Sequence, residues 1–181
     1  VTRGVRNTTA AIHNAGVTIT NSSDYIAWGE AASGDLVIDP GLWSLDGFGT
    51  KVIALIHNAQ VFEWDSNLSN AVTTRATIIS GAPTASRDML VSTPDRHLVF
   101  FGTELTIGDP TTQDEMFIRF SNQEDINTYQ PTAVNTAGTQ RLADGSKIVG
   151  AVRGRDAIYV WTDSSLFTMR FIGQPFTFGF Q

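Results

Sequence analysis

Short stretches in which bulky and polar side chains alternate are the feature that most constrains how this chain can fold. In "AIYVWTDSSLFTMRFIG", at 157–173, the alternation occurs twice, with a short polar turn between the two runs. A period of two places successive side chains on opposite faces of a β-strand, so this stretch predicts a hairpin. No stretch of 11 or more residues combines apolar positions at helical spacing with helix caps. The sequence therefore predicts an all-β protein.

Similar segments recur along the chain, separated by Gly, Asp, Asn, Ser and Pro. The apolar run at 52–56 indicates a strand that is covered on both faces. Phe167, Met169 and Phe171 share one face of the 166–173 strand, with Thr168 and Arg170 opposite. The predicted strands span 51–57, 61–65, 96–102, 115–121, 147–154, 157–163, 166–173 and 175–181.

An internal echo indicates how these strands are organised. "VFEW" at 61–64 matches "IYVW" at 158–161, an offset of 97 residues that aligns Trp64 with Trp161. Asp65 in the first copy corresponds to Asp163 in the second. An Asp-Gly turn (46–47 and 144–145) and a Lys (51 and 147) precede each copy, and a weaker third copy follows the turn at 93–96.

Three copies give a period near 48 residues, and propeller blades carry four strands in about 40–50 residues. The sequence therefore predicts a β-propeller-like fold with about three four-stranded blades, over 42–88, 89–138 and 139–181. Trp64 and Trp161 are expected at equivalent places in consecutive blades. Residues 1–41 stay unplaced, and strands of a preceding blade would account for them.

We interpret the large side chains as packing between neighbouring sheets. Covering each one stabilises the fold by roughly 1.5–3 kcal/mol. Phe176, Phe178 and Phe180 share a face of the last predicted strand, which therefore needs a partner sheet. Either that strand closes the first blade or the natural polypeptide continues, and we favour the second reading. The predicted packing residues are Trp64, Tyr159, Trp161, Phe167, Phe171, Phe176 and Phe178.

Composition narrows the range of partners. The chain has no Cys, which excludes disulfides and thiolate metal sites. Its formal charge of −6 is unlike a surface that grips nucleic acid, which needs clustered Lys and Arg. No apolar run approaches the roughly 18–20 residues that span a bilayer, so no membrane span is predicted.

No motif in the sequence predicts catalysis, a cofactor or a metal. His13, His57 and His97 lie in separate segments without metal-ligand spacing. The neighbouring acids Glu124 and Asp125 would face opposite sides of a strand. "GFGT" at 47–50 reads as a Gly-rich turn and "WDSNLS" at 64–69 as a solvated turn.

The last repeat contains one close pair of basic residues. Arg153 and Arg155 flank Gly154 in a predicted turn. This pair would contact another subunit or a phosphate, or would simply be solvated.

The segment 116–180 resembles virion proteins of tailed bacteriophages, in the tail nozzle, tail tubular and tail-hub (packaged-DNA stabilisation) group. The similarity is carried by "RFS", "QED", "YQPTAVNTAG", "IVGA", "IYVWTDSSLF" and "GQPFTFGF". In numbers these are 119–121, 123–125, 129–138, 148–151, 158–167 and 173–180. A weaker similarity extends to 42–55 and 91–102, so it covers most of 42–181.

The resemblance implies a structural protein of the tail, made in the bacterial host cytoplasm and located in the virion. It implies a homo-oligomeric ring, often six-fold, that contacts other tail proteins such as an adaptor, fibres or a needle. Double-stranded DNA would pass through the ring without specific binding and be retained until ejection. The family offers no catalytic residues to carry over.

A glycan-binding or glycan-degrading propeller that recognises a host surface is the alternative. Such a protein would expose aromatic residues beside paired acids at one mouth of the propeller. Trp28 and Trp43 are the candidates, although the setting of Trp43 in "GLWSLDGFG" favours core packing.

Overall fold

A computed structural model of the chain describes residues 25–27, 30–31, 42–71, 74–93 and 95–181. The chain divides into two compact units, Val1–Val37 and Ile38–Gln181. In the smaller unit β1 (Tyr25–Ala27) pairs with β2 (Glu30–Ala31). The rest of the prediction for 1–41 lies outside the described residues. Within the described ranges, no helix is both long enough and apolar enough to cross a membrane.

Three four-stranded antiparallel sheets make up the larger unit. Each sheet is a meander in which the order in space follows the order in the chain. Within the described residues the only helical element is a single 3-10 turn, Pro110–Thr112. The first sheet contains β3 (Trp43–Phe48), β4 (Lys51–Ile56), β5 (Val61–Asp65) and β6 (Thr77–Ile78). The second contains β7 (Asp88–Ser92), β8 (His97–Phe101), β9 (Phe117–Phe120) and β10 (Gly138–Arg141). The third contains β11 (Ile148–Arg153), β12 (Ile158–Thr162), β13 (Leu166–Gly173) and β14 (Thr177–Phe180).

The first strands of the three sheets lie together. β3 packs against β7, and β7 packs against β11, while the later strands of each sheet lie progressively further out. This is the arrangement of propeller blades, whose first strands surround a common axis. The predicted all-β, propeller-like fold is therefore confirmed.

Alternation along the strands of the second sheet builds two hydrophobic cores. On β8, Leu98 and Phe100 pack into a core shared with the first sheet. Val99 and Phe101, between them in sequence, pack into a core shared with the third sheet. All five residues of β8 are buried, because the second sheet is covered on both faces. The strand predicted to be covered on both faces, at 52–56, is β4 of the first sheet, and its central residues 53–55, which alternate between the two faces, are fully buried.

The expected equivalence of Trp64 and Trp161 is wrong. Trp64 lies on β5, the third strand of its sheet, whereas Trp161 lies on β12, the second strand of its sheet. The first strands begin at Trp43, Asp88 and Ile148, so the spacing is 45 and then 60 residues rather than a constant 48. The second sheet is longer because two connections, 102–116 and 121–137, interrupt it.

The repeated sequence pattern instead corresponds to a similar hairpin, β4–β5 in the first sheet and β11–β12 in the third. Thr50, which precedes Lys51, donates its hydroxyl to Asp65 at the end of the β4–β5 hairpin. Ser146, which precedes Lys147, donates its hydroxyl and its backbone N–H to Asp163 after the β11–β12 hairpin. The same hydroxyl–aspartate latch thus closes two hairpins that occupy different places in their sheets.

Two local predictions also need correction. The sequence predicts a turn at Asp46 and Gly47, but both residues lie within β3, and the turn falls at 49–50. The sequence also predicts that Phe176 shares a strand face with Phe178 and Phe180, but Phe176 precedes β14 and is 74% exposed. Thr177 between them has φ of 59°, which breaks the alternation.

Two strand glycines give a matched test of the packing. A Cβ at Gly138 would lie 2.4 Å from Cζ of Phe120, whose ring is buried, whereas a Cβ at Gly150 would meet nothing within 4 Å. Gly138→Ala is expected to lower the free energy of unfolding by about 1–3 kcal/mol through overpacking. Gly150→Ala is expected to change it by less than about 0.5 kcal/mol or to raise it. Urea unfolding measures both, and equal effects would contradict the packing described above.

Candidate functional site

A cleft of about 300 Å³ lies between the second and third sheets and brings the predicted basic pair together with apolar and acidic groups. Arg153 ends β11, and Arg155 follows in the connection 154–157. Met169 and Phe171 of β13 supply the apolar lining, and Ser92 and Asp95 line it from the second sheet. The cleft is thus built from both sheets.

Arg153 links all three sheets. Its Nη1 donates to Oδ2 of Asp46 at 2.8 Å and to the carbonyl of Val91 at 2.6 Å. Asp46 lies on the first strand of the first sheet and Val91 on the first strand of the second. Arg155 is exposed at the cleft beside Asp156. The two arginines therefore differ, because Arg153 is part of the junction while Arg155 faces the solvent.

Two aspartates fasten the first strands to one another in the same way. Asp46 accepts the N–H of Gly47 through Oδ1 at 2.8 Å and the N–H of Val91 in the next sheet through Oδ2 at 2.8 Å. Asp88 accepts the N–H of Met89 at 2.8 Å and, with its other oxygen, the N–H of Ala151 in the third sheet at 3.4 Å. Each carboxylate thus satisfies a backbone donor of the following sheet.

A buried polar network lies beneath the cleft. Asp95 accepts the hydroxyl of Ser92 at 3.0 Å, and its other oxygen lies 2.7 Å from Nδ1 of His97. Nε2 of His97 lies 3.0 Å from Oγ1 of Thr136. Ser92, Asp95 and His97 are all buried, so the network is shielded from solvent.

The network has the order carboxylate, imidazole, hydroxyl, which is also the order of a hydrolase relay. Here the hydroxyl of Thr136 also lies 2.8 Å from the donating N–H of Gln123, so it is held in place rather than presented to a substrate. The His97 ring is fully buried, with three aromatic centroids 5.2–6.2 Å away, those of Phe120, Phe171 and Phe178. The arrangement therefore joins structural elements.

Thr136 carries that connection into the third sheet. Its carbonyl accepts the hydroxyl of Thr177, the first residue of β14, at 3.1 Å. His97 thus connects the turn before β8 to the segment before β10, and Thr136 connects that segment to the third sheet. We interpret His97 as a fastening point between the second and third sheets.

A second buried charged group holds a long connection of the second sheet. Glu104 accepts the N–H and hydroxyl of Thr84 at 3.0 and 2.9 Å and the N–H of Gly108 at 2.5 Å. Arg119 donates to the carbonyls of Glu104 and Leu105 at 3.2 and 2.7 Å. Burial lowers the pKa of Arg119, and the nearby charge of Glu104 partly opposes that effect. Arg119 begins the "RFS" motif, so that motif marks a structural position.

The predicted packing residues differ in burial and fall into three groups. Phe167 packs against the core between the second and third sheets, and Phe178 is part of it. Trp64 is half-buried, and its Nε1 donates to the carbonyls of Ala71 and Thr74, both at 3.1 Å. Tyr159 is half-buried with its ring centroid 6.4 Å from that of Trp161. The exposed members are Trp161, Phe171 and Phe176.

The other polar candidates from the sequence are held in local structure. Glu124 pairs with Arg96 at 2.8 Å, while Asp125 accepts the N–H of Asn127 at 2.8 Å, so the two acids do not act together. Asp65 accepts the N–H of Asn67 at 2.9 Å within its turn. Nδ1 of His57 lies 2.8 Å from the carbonyl of Arg87.

Metal binding finds no support in the described part of the chain, where no three His, Asp or Glu side chains are grouped closely enough to hold an ion. His13 and Trp28 lie outside the described residues.

Comparison of the chain with protein-family models, with curated proteins and with solved structures finds no match.

His97 gives a direct test of the fastening role. His97→Gln removes at least one of two buried hydrogen bonds, and we expect a loss of about 1–3 kcal/mol in the free energy of unfolding. His57→Gln, in a half-buried setting, is the matched control and should cost less. Thr136→Val removes the partner hydroxyl and should lower stability in the same direction. Denaturant unfolding decides, and an effect of His97→Gln no larger than the control would contradict the role.

Asp163 gives a test by pH. The hydroxyl of Ser146 and then its N–H lower the pKa of Asp163. The stabilisation is therefore present above the ordinary aspartate pKa near 3.9 and is lost as the pH falls through the lower folded value. Asp163→Asn should lower the thermal midpoint at pH 7, and the gap to the wild type should close towards pH 2. Asp156→Asn is the exposed control, and a gap that stays constant with pH would contradict the latch.

Proposed function

We propose that this protein is a structural component of a bacteriophage tail, in the nozzle or hub. It would form part of a homo-oligomeric ring in the virion, around the channel through which DNA leaves. The resemblance of 116–180 to tail nozzle and tail-hub proteins supports this proposal. The protein would be made in the host cytoplasm and would contact other tail proteins.

The observation that carries the proposal is how the polar groups of the sheet junction are used. The carboxylates of Asp46 and Asp88, and the guanidinium of Arg153, are engaged between sheets. The buried network of Ser92, Asp95 and His97 adds to these links, and buried polar networks whose members are hydrogen-bonded make a packed core rigid. A rigid stack is what a wall around a channel requires.

The charge of the protein fits a channel that lets DNA pass. Duplex DNA is held mainly by Lys and Arg contacts to phosphate, which release bound counterions. The chain carries 12 basic against 18 acidic residues, and the junction arginine already pairs with Asp46. DNA would therefore slide past such a wall rather than stick to it.

A glycan-binding propeller is the second candidate, and one observation favours it. Trp43 is 42% exposed on the outer face of the first sheet, as a sugar-stacking residue would be. Its neighbour across the strands is Ile56, and Leu45 lies beside it, so the surroundings are apolar rather than acidic. This setting suits protein contact better than sugar recognition, which needs polar groups beside the ring.

The location of the protein tests the proposal. Quantitative mass spectrometry of particles of the phage that encodes this chain should find it in several copies per virion. A non-structural enzyme of the same phage is the control and should be lost on purification. The proposal fails if the chain stays in the soluble lysate while intact particles lack it.

The affinity of the protein for DNA separately tests the proposal that DNA passes without being held. At about 50–200 mM salt, duplex DNA should bind the purified chain no more tightly than non-specific complexes, with Kd of about 10⁻⁶–10⁻⁴ M or weaker. Fluorescence anisotropy with a labelled duplex measures this. Nanomolar binding that falls steeply with salt would count against the proposal.

A further inference from the structure

The outer face of the third sheet combines aromatic and polar side chains. Strand alternation places Tyr159 and Trp161 of β12 on this face, opposite the residues that pack on the second sheet. The cross-strand pairing of Tyr159 with Thr168 places Thr168 and Arg170 of β13 on the same face. Trp161 is 42% exposed, and its ring centroid lies 6.4 Å from that of Tyr159, with the ring planes inclined by 41°. These two rings, in line along one strand, form an aromatic platform.

Open space lies beside Trp161 on this face. Its cross-strand neighbour on β11 is Gly150, where an added Cβ would meet nothing within 4 Å. Its neighbour on β13 is Leu166, which is 51% exposed. A glycine inside a strand often marks a place where a ligand approaches the backbone closely. The aromatic platform therefore has room for a further ring over Gly150.

The polar side chains around the aromatic platform have no partners within the described part of the chain. No hydrogen bond engages the hydroxyls of Tyr159 and Thr168, or the side-chain amide of Gln181, which pairs with Thr168 through the backbone. The exposed guanidinium of Arg170 has neither a hydrogen bond nor an ion pair there. Arg170 is therefore available to an anion from outside the chain. Several arginines elsewhere in these ranges instead pair with a carboxylate, namely Arg87, Arg96, Arg141 and Arg153.

A ligand that covers this face has to satisfy the polar groups as well as the rings. A purely apolar surface would remove water from Tyr159, Thr168 and Arg170 without giving them hydrogen-bond partners, which costs free energy for each group. A sugar has an apolar face of C–H groups that packs on an aromatic ring, and hydroxyls at its edge that donate and accept hydrogen bonds. A carboxylate on the sugar would make charge-assisted hydrogen bonds with Arg170. An acidic carbohydrate therefore complements both the rings and the polar groups.

A single-stranded nucleic acid is less well matched to this face. Its bases would stack on the rings, but its backbone needs a positively charged groove along the whole strand. Arg170 lies at one end of the aromatic platform. Lys147 lies beyond the other end, where Asp163, whose N–H donates to the carbonyl of Lys147 at 3.1 Å, adds a negative charge. One free cation at one end suits a sugar carboxylate better than a row of phosphates.

We propose that the outer face of the third sheet binds an acidic polysaccharide, with sugar rings on the aromatic platform and a carboxylate at Arg170. This site goes beyond the proposed structural role and does not depend on it, because the same face would bind the polymer in a protein that is absent from virions. The site also differs from the surroundings of Trp43 on the first sheet, where the neighbours Leu45 and Ile56 are apolar.

Binding to a set of polysaccharides tests the site. The acidic probes are polygalacturonate, alginate, hyaluronan and polysialic acid, and the uncharged probes are methyl-esterified polygalacturonate and dextran. At about 150 mM salt, where long-range repulsion is screened, at least one acidic polymer should bind the purified chain with a Kd of about 10⁻⁴ M or tighter. The uncharged polymers should bind about tenfold more weakly or not at all, because they lack a partner for Arg170. Isothermal titration calorimetry measures each Kd, and failure of all four acidic probes would overturn the proposal.

Matched variants locate the site on the protein. Trp161→Ala should weaken polysaccharide binding by about tenfold or more, because it removes the exposed ring. Trp43→Ala removes an equally exposed tryptophan from the first sheet and should change the Kd by less than about twofold. Arg170→Gln should weaken binding by about tenfold. Arg96→Gln removes the same charge from the turn between β7 and β8 and is its control. Equal effects within either pair would overturn the proposal.

Further measurements separate the remaining outcomes. Thermal unfolding shows which variants fold, and Gly150→Val, which fills the space beside Trp161 without removing any group, should also weaken binding. A labelled single-stranded oligothymidylate is the competing probe. The proposal is overturned if that probe binds more tightly than every polysaccharide and Trp161→Ala abolishes its binding. Self-association that requires Trp161, with no polysaccharide bound, would overturn it too.

The outcome for this site is distinct from the outcome for the tail function. If mass spectrometry finds the chain in particles and no polysaccharide binds, the tail function stands and the polysaccharide site is overturned. Polysaccharide binding by a chain that is absent from particles would overturn only the tail function.

Discussion

The double burial of the second sheet is the constraint on which the rest of the structure depends. β8 has no exposed face, so its residues alternate between two cores and force a sheet to pack on each side. Phe100 and Phe101 are adjacent in sequence yet lie in different cores. The first and third sheets each need this sheet to cover one face, because a lone four-stranded sheet leaves a large apolar surface in water.

Alternation was enough to predict eight strands, because their apolar positions face a core. β3 and β7 escaped prediction since Ser44, Asp46 and Asp88 are polar for a reason that is not local: each bonds a neighbouring sheet. The repeated sequence pattern corresponds to a hairpin and not to a whole sheet. It reflects a latched hairpin, and two residues that latch a hairpin do not reveal which strands of a sheet the hairpin supplies.

The site was harder to predict than the fold because its partners are distant in sequence. Arg153 reads as a turn residue, and nothing nearby indicates that its partner Asp46 lies 107 residues away. His97 gave no metal or catalytic spacing, and its bond to Thr136 spans 39 residues. The Asp95–His97 pair, two residues apart, was the one local signal that could have pointed to a buried network. Arg155 lies in the turn that the sequence predicts. The sequence alone does not show that Arg155 is exposed while Arg153 bonds to two other sheets.

The reach of Arg153 across the second sheet has a mechanical consequence. The same guanidinium holds the first sheet through Asp46 and the second through Val91, while its own strand belongs to the third. Arg153 therefore joins the first and third sheets directly, at the place where the first strands of all three sheets meet. Separation of the third sheet would therefore break the bonds of Arg153 to both other sheets at once, while the first and second sheets would stay joined through Asp46 and the N–H of Val91.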